Sequence, residues 1–220
     1  MSKTRFYQNT KTLEQYPSVT EVTACAMKIA LLYFYGKHGT QKAKQIAAEA
    51  AAIGTDLHHY IKTDLENNKD VVIQSKVKDL EICIANYHKI KQELELEPIY
   101  IEQLVHSDKY KYAGTLDLVT RSKHGILLLD WKTSKAIYFD YKLQLNAYYQ
   151  ALIEWSEVNN RESVEGLNVQ LCIARCDKEK EFNAKTDILT EKPNKKILKG
   201  FLGLLDYYNC KKEFENKKEE

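Results

Sequence analysis

The sequence predicts an α/β fold in which a mixed central β-sheet is flanked by helices. Three observations support this fold class. Apolar residues recur at helical spacing over residues 19–94, two strand-like runs form a hairpin over 114–133, and an apolar stripe at helical spacing follows over 141–155. Residues three and four apart share one helix face, whereas strand side chains alternate between faces. We therefore expect helices packed against a sheet centred on the hairpin.

The composition is that of an ordinary globular domain. The 220 residues include 44% hydrophobic and 29% charged side chains, values that argue against a disordered chain. The 33 basic and 31 acidic residues nearly cancel, so any nucleic-acid-binding surface must be local. We find no apolar run of about 18 residues and no leader-like start, and we expect a soluble, cytoplasmic protein without a membrane partner. The five scattered cysteines are expected to be reduced thiols.

We expect a single domain over residues 1–220, made of three segments. These are a helical N-terminal segment (residues 1–96), a sheet core (residues 97–190), and a C-terminal helix with a charged tail (residues 191–220). The S-x-x-E pattern from Ser18 to Glu21 is a capping box, which predicts one helix from residue 19 to a stop at 37–39. Periodicity and turn residues predict the remaining elements: helices over 41–65, 77–94, 141–158 and 197–214, and strands over 99–105, 114–121, 126–133 and 164–174, with 180–186 as a further candidate strand.

Two aspartates are predicted to meet in the hairpin. If the loop has four residues, Arg121 pairs with Ile126, and the same register places Asp117 directly opposite Asp130. Opposed residues have Cβ atoms about 5 Å apart, so two carboxylates there repel each other unless a proton or a cation joins them. Such acidic pairs suit Mg²⁺ or Mn²⁺. Lys132 lies on the same face as Asp130, where its ammonium could hold a water molecule or a phosphate. The alternative is an Asp–Lys salt bridge on a solvated face.

These motifs resemble the core of the PD-(D/E)XK nuclease superfamily. Gly-Thr-Leu-Asp117 followed by Asp130-Trp-Lys132-Thr is most similar to the RecB-like exonuclease branch, which includes phage exonucleases, CRISPR-adaptation nucleases and mitochondrial genome-maintenance exonucleases. Two companion motifs of that branch occur in the family's order, GxxxH ending at His58 and QxxxY ending at Tyr148. The resemblance covers about residues 16–175 and implies a restriction-endonuclease-like core.

The resemblance implies a metal centre in this hairpin. Asp117, Asp130 and His58, together with the main-chain carbonyl of Trp131, would hold one or two Mg²⁺ or Mn²⁺ ions. The metal would lower the pKa of a water molecule and stabilise charge on the phosphate. Lys132 would orient the water or neutralise the developing charge.

Four further residues are candidates for the site. Glu102 resembles the glutamate that the family often carries one strand earlier, as a ligand or a nearby base, but it could equally be an ordinary edge-strand carboxylate. Gln144 and Tyr148 would help position the phosphate and the active-site strand, although Tyr148 could also be a packed core tyrosine. Lys135 is a candidate phosphate contact. For the histidine motif, the alternative is that His58 is merely a surface residue.

We therefore expect a metal-dependent DNA exonuclease that acts on DNA ends or single strands in replication, recombination or repair. One alternative is a structure-specific or restriction-type endonuclease of the same fold, and another is a non-catalytic DNA-binding subunit. A phage gene expressed in a bacterial host would fit the resemblance. Some relatives bind an iron–sulfur cluster through one early and three late cysteines. We expect none here, because the late cysteines lack the compact C-x-x-C spacing: Cys172, Cys176 and Cys210.

Overall fold

The computed structural model describes residues 6–8, 14–26, 28–66, 78–159 and 168–217, and its centre is a five-stranded β-sheet. The strands in chain order are β1 (Phe6–Gln8), β2 (Gln15–Pro17), β3 (Glu97–Ser107), β4 (Tyr112–Ser122), β5 (Gly125–Lys132), β6 (Val169–Arg175) and β7 (Ile188–Glu191). The central sheet has the order β3–β4–β5–β6–β7, and β1 and β2 form a separate antiparallel ribbon. Only the β5–β6 pair of the central sheet is parallel, so the sheet is mixed, as predicted.

Helices cover both faces of this sheet, which confirms the predicted fold class. Their bounds are α1 (Val19–Thr23), α2 (Ile29–His38), α3 (Thr40–Leu65), α4 (Lys78–Leu94), α5 (Phe139–Val158), α6 (Ala184–Asp187) and α7 (Lys195–Asn216). On one face, α3 and α4 pack on β5 through a core that contains Leu57, Tyr87 and Trp131. On the other face, a core with Leu145 and Phe201 joins α1, α5 and α7 to the sheet. None of the described helices is long and apolar enough to cross a membrane.

The predicted hairpin register is confirmed over the paired part of β4 and β5. Arg121 pairs with Ile126, and the same register continues to Leu118 and Leu129. Leu127, Leu129 and Trp131 enter one core while Leu128 enters the other, as strand alternation requires. The described pairing ends just before Asp117, so the two aspartates are close in the register without forming a ladder pair.

The single helix predicted from residue 19 to 37–39 is wrong. The capping box at Ser18 is present, since its hydroxyl accepts a hydrogen bond from the Glu21 amide at 3.1 Å, but the helix ends at Thr23. A second helix, α2, then packs beside α3, whereas α1 packs against α5 and α7. Because the two halves of the predicted helix pack against different neighbours, the chain breaks between them despite its helical periodicity. No residue of α2 is buried, although its apolar residues recur at helical spacing.

Two other predictions need correction. The candidate strand over 180–186 is a turn followed by α6, and the strand β7 begins only at Ile188. Asn183 caps α6 through its side chain, and Asp187 accepts a hydrogen bond from the Asn183 amide at 2.7 Å, so local side-chain bonds favour the turn over a strand. The N-terminal segment is not purely helical, since it contains the β1–β2 ribbon. The predicted start of β6 at 164–167 lies outside the described residues.

Candidate metal centre and active site

The predicted motifs meet in one cavity of about 470 Å³ at the end of the β4–β5 pairing. Helix α3 contributes to this cavity from one side of the sheet and α5 from the other. The lining includes every predicted catalytic or ligand side chain and both residues of the QxxxY motif: His58, Glu102, Asp117, Asp130, Lys132, Gln144 and Tyr148. Motifs that are far apart in the chain are therefore neighbours in the fold.

Three side chains in the cavity lie close enough together to hold a metal ion. His58 Nδ1 lies 3.6 Å from Asp117 Oδ1 and 3.7 Å from Glu102 Oε1. One potential ligand atom from each of the three residues lies within 4.8 Å of the others. One imidazole and two carboxylates match the ligand preferences of Mn²⁺ and Mg²⁺. Glu102, for which an ordinary edge-strand role was an open alternative, thus lies in the cluster.

The backbone of Glu102 is strained, and the strain coincides with the cluster. Glu102 has φ +48° in the middle of β3, a conformation that L residues other than glycine rarely adopt. In a regular strand Ile101 and Val105 would lie on the same face, because they are four residues apart. Instead Ile101 packs into one core, and Val105 packs into the other core together with Tyr100. Side-chain alternation therefore reverses across Glu102. Such strain costs about 1–3 kcal/mol and persists where surrounding packing enforces it, frequently at functional sites.

Asp117 is held by the neighbouring strand. Its Oδ2 accepts a hydrogen bond of 2.8 Å from the main-chain N–H of Trp131, at the point where the ladder pairing has ended. Because the N–H and C=O of one strand residue point to the same side, the Trp131 carbonyl also faces β4. The indole ring of Trp131 is buried against Tyr87 in the opposite direction, so only the Trp131 main chain is available to the site.

Asp130 and Lys132 form a buried ion pair that α5 orients. Lys132 Nζ lies 2.6 Å from Asp130 Oδ2. Gln144 contacts both residues: its Nε2 donates to Asp130 Oδ1 at 3.1 Å, and its Oε1 accepts from Lys132 Nζ at 3.2 Å. The ammonium also lies 4.9 Å from the centroid of the Tyr141 ring. The Asp–Lys salt bridge of the stated alternative is therefore present, but Asp130 is only 1% exposed, so the pair does not lie on a solvated face.

The QxxxY motif links α5 to the first hairpin strand. Gln144 Nε2 donates to Tyr148 Oη at 3.3 Å. Tyr148 is buried, and its ring lies directly over Gly114. Tyr148 therefore packs in the core, as one alternative stated, and also lines the cavity.

The charges in the cavity shift one another's protonation. Burial lowers the pKa of His58, but the carboxylates of Asp117, Glu102 and Asp130 outweigh burial and raise the pKa to about 9. Burial raises the pKa of the Asp117 carboxyl to about 7, and the nearby Asp130 adds to this shift. The carboxylates thus strongly favour a positive charge at the centre of the site. A divalent cation bound by the same atoms would be stabilised by the same negative charges.

Two predicted features lie at the margin of the site. Lys135 does not line this cavity; its Nζ forms an ion pair of 2.7 Å with Glu179 at the surface. Gly54 lines the cavity, but a Cβ there would only meet Thr133 Oγ1 at 3.5 Å, an ordinary contact. A side chain at Gly54, the glycine of the GxxxH motif, would therefore be accommodated without a close contact.

Sequence reasoning missed two contributors to this site. Tyr141 was assigned only to the apolar stripe of α5, yet its ring supports the Lys132 ammonium. Arg175 is buried opposite Lys132 in the sheet register and donates to the Lys135 carbonyl at 2.8 Å, so it fastens the loop that follows β5. The carboxylates that pair with Arg175 are Asp177, at 2.5 Å, and Asp187. The signal in the sequence was an arginine, Arg175, at the end of an apolar strand-like run, with Asp177 two residues later.

Comparisons with known proteins assign neither a family nor an activity to this chain. No protein-family model matches the chain, and no curated protein matches it. The chain is similar to the crystal structure of a protein from Eubacterium rectale named "Putative exonuclease", with 15% sequence identity and a TM-score of 0.40 over 74% of this chain. The match covers 65% of the Eubacterium rectale chain, which is less than two thirds of its length. At this score the likeness assigns no activity, and the function proposed below rests on the residues of the site.

Proposed function

We propose that this chain is a divalent-metal-dependent nuclease of the PD-(D/E)XK type. The observation that carries the proposal is the convergence of His58, Glu102 and Asp117 within 4.8 Å, in the same cavity as the Asp130–Lys132 pair. A dense acidic cluster beside a buried lysine costs stability, since like charges repel and burial removes their hydration. A phosphodiesterase site uses both features, because the acidic cluster would bind a metal ion and the lysine would contact the water or the phosphate.

The residues present fit a divalent cation. His58, Glu102 and Asp117 would hold Mg²⁺ or Mn²⁺, and Asp130 and the Trp131 carbonyl are candidates to complete the ligand set. Asp130 Oδ2 contacts the Lys132 ammonium at 2.6 Å, and a carboxylate oxygen has a second lone pair that can also bind a cation. When bound, the cation would supply Lewis-acid stabilisation of the phosphate and would acidify a water molecule.

The protein's own groups supply orientation and charge. The Lys132 ammonium, held between Asp130, Gln144 and the Tyr141 ring, would place a positive charge where the attacking water or the phosphate oxygens lie. Because Gln144 contacts both members of the pair, it would keep the ammonium directed at the reacting group. Such preorganised charge is effective in a partly buried cavity, where water does not screen it fully.

The substrate we propose is DNA, attacked at ends or in single strands in replication, recombination or repair. The support for this step is the resemblance of the four motifs to the RecB-like exonuclease branch. Binding would depend mainly on backbone phosphates and would weaken as salt is raised. We assign the protein to the cytoplasm, including that of a bacterial host if the gene is from a phage.

The test is cleavage of 5′-labelled and 3′-labelled strands, linear and circular, with Mg²⁺, Mn²⁺ or EDTA. We expect metal-dependent release of short products from linear strands, with the label that is released first giving the polarity, and no cleavage by Asp130→Asn. Cleavage of circular strands would favour the endonuclease alternative. If no linear or circular DNA, single- or double-stranded, were cut with either metal, the proposal would fail and a DNA-binding subunit would be the better account.

A further inference from the structure

A second cavity of about 430 Å³ adjoins the metal centre. The two cavities share three lining residues, Ala51, His58 and Lys132. The second cavity is bounded by residues 46–58 of α3, by Phe34 of α2, by residues 131–135 at the end of β5 and just after it, and by Tyr141 of α5. A molecule that occupies the second cavity can therefore touch the groups that surround the acidic centre.

The two cavities differ in their charged groups, although His58 and Lys132 line both. The first contains three carboxylates, whereas the lining of the second, within the described chain, contains three lysines and no carboxylate: Lys132, Lys135 and Lys178. Lys178 is half-buried and forms no salt bridge with any residue that the structure describes. Lys135 pairs only with Glu179, in a contact exposed enough to contribute little. The second cavity thus offers positive charge to an anion such as a phosphate.

The rest of the lining of the second cavity is largely apolar and includes the aromatic rings of Phe34 and Tyr141. Phe34 and Tyr141 are half-buried, and the α3 residues between them are mostly small: Ile46, Ala47, Ala50 and Ala51. Nucleobases stack on aromatic side chains and fit apolar walls, and their phosphates contact lysines as point charges. A base and a phosphate joined in one molecule match this combination better than an inorganic anion alone does.

We propose that the second cavity is a nucleotide subsite, which holds the nucleotide next to the scissile phosphate with its base between Phe34 and Tyr141 and a phosphate against Lys135 and Lys178. The inference rests on the proposed nuclease function and adds to it a location for the released nucleotide. A free mononucleotide then binds this cavity as a product, without any metal.

The experiment is calorimetric titration of deoxyadenosine monophosphate and, separately, of inorganic phosphate into the full chain in EDTA. Two variants change the cavity: Ala47→Phe fills it, and Lys178→Gln removes a charge. Ala47 is exposed and lines only the second cavity, so the larger side chain fits without unfolding the helix. The matched control is Ala52→Phe, at an exposed position of α3 that lines neither cavity.

We expect the mononucleotide to bind the wild type more tightly than phosphate does, and to bind Ala47→Phe and Lys178→Gln roughly tenfold more weakly. Ala52→Phe should bind like the wild type. Absent mononucleotide binding, equal affinity for phosphate, or equal binding by Ala47→Phe and Ala52→Phe would each overturn the subsite. The cleavage assay separates the two proposals. Cleavage without mononucleotide binding refutes only the subsite, whereas mononucleotide binding without cleavage under any metal refutes the nuclease.

Discussion

The ring of Tyr148 lies so close to Gly114 that a Cβ at Gly114 would come within 2.6 Å of the ring atom Cε1. The glycine of the sequence Gly-Thr-Leu-Asp117 thus makes room for the tyrosine of the QxxxY motif. Real Cβ atoms do not approach a ring so closely, so any larger residue at this position must displace Tyr148 or the strand.

We predict that Gly114→Ala destabilises the fold by about 1–3 kcal/mol, as overpacking does, and lowers cleavage because Tyr148 moves away from Gln144. Urea unfolding and the end-labelled cleavage assay measure the two effects. Gly203→Ala is the control, because nothing lies within 4 Å of a Cβ there and alanine favours the helix. Equal stability of the two variants would contradict the packing argument.

Gln144 is predicted to be a positioning residue. In Gln144→Leu, Asp130 Oδ1 loses its donor and Lys132 loses an acceptor, so we expect a 10–100-fold loss of activity, on the order seen when a supporting contact of a metal site is removed. The loss should appear mainly in kcat, with little change in KM. Gln150→Leu, farther along the same helix, removes only a contact with Glu154 and should retain full activity. Equal effects of the two substitutions would refute the role.

The sequence predicted which side chains share one cavity better than it predicted the peripheral elements. The hairpin register follows from alternation and a short turn, both of which are local, and Arg121 and Ile126 pair as expected. The spacings that place His58 on one helix and Gln144 on another are also local. Their convergence at the end of β4 and β5 was inferred only through the family resemblance, because no local rule relates these helices.

The features that the sequence did not predict depend on tertiary contacts. Glu102 was expected in a regular strand, and no pattern in the sequence indicates its φ of +48°. Helix α2 was fused with α1 because helical periodicity does not show where a chain changes its packing partner. The direct pairing of Asp117 with Asp130 was predicted on the assumption that regular strand pairing continues to these residues. In the structure the described pairing ends one residue earlier, and the Asp117 side chain accepts a hydrogen bond from the Trp131 N–H.

An ion pair away from the site predicts a pH dependence of stability. Asp64 accepts hydrogen bonds from Tyr87 Oη at 2.6 Å and Lys91 Nζ at 2.7 Å. Burial alone would raise the pKa of Asp64, but these bonds outweigh it and lower the pKa below its ordinary value of 3.8. A group with a lowered folded-state pKa stabilises the fold above its unfolded pKa and loses this contribution as the pH falls through its folded pKa.

The difference in unfolding free energy between wild type and Asp64→Asn should therefore be constant near neutral pH and shrink below about pH 4. Urea unfolding between pH 3 and pH 7 measures it. Asp206→Asn, an exposed change on α7, provides the control for general charge effects. A difference that stays the same down to pH 3 would show that Asp64 contributes no pH-linked stability.

The cysteines are predicted to differ sharply in reactivity. Burial raises the pKa of the Cys83 and Cys172 thiols to about 12 and also raises that of Cys176, so these thiols should resist alkylation in the folded protein. Cys210 is exposed and Cys25 is half-buried. We expect iodoacetamide at pH 8 to label Cys210 first, as mass spectrometry of tryptic peptides would show. Rapid labelling of Cys172 in the native protein would contradict this.

The measurement that most directly tests the account is Mn²⁺ binding by titration calorimetry to wild type and Asp117→Asn. Asp56→Asn is the matched control, because Asp56 is exposed on α3 two residues before His58 and does not line the cavity. We predict that the wild type and Asp56→Asn bind Mn²⁺ alike, while Asp117→Asn binds about 10–100-fold more weakly or not at all. Absent binding to the wild type, or equal binding by all three proteins, would show that His58, Glu102 and Asp117 do not form a metal site.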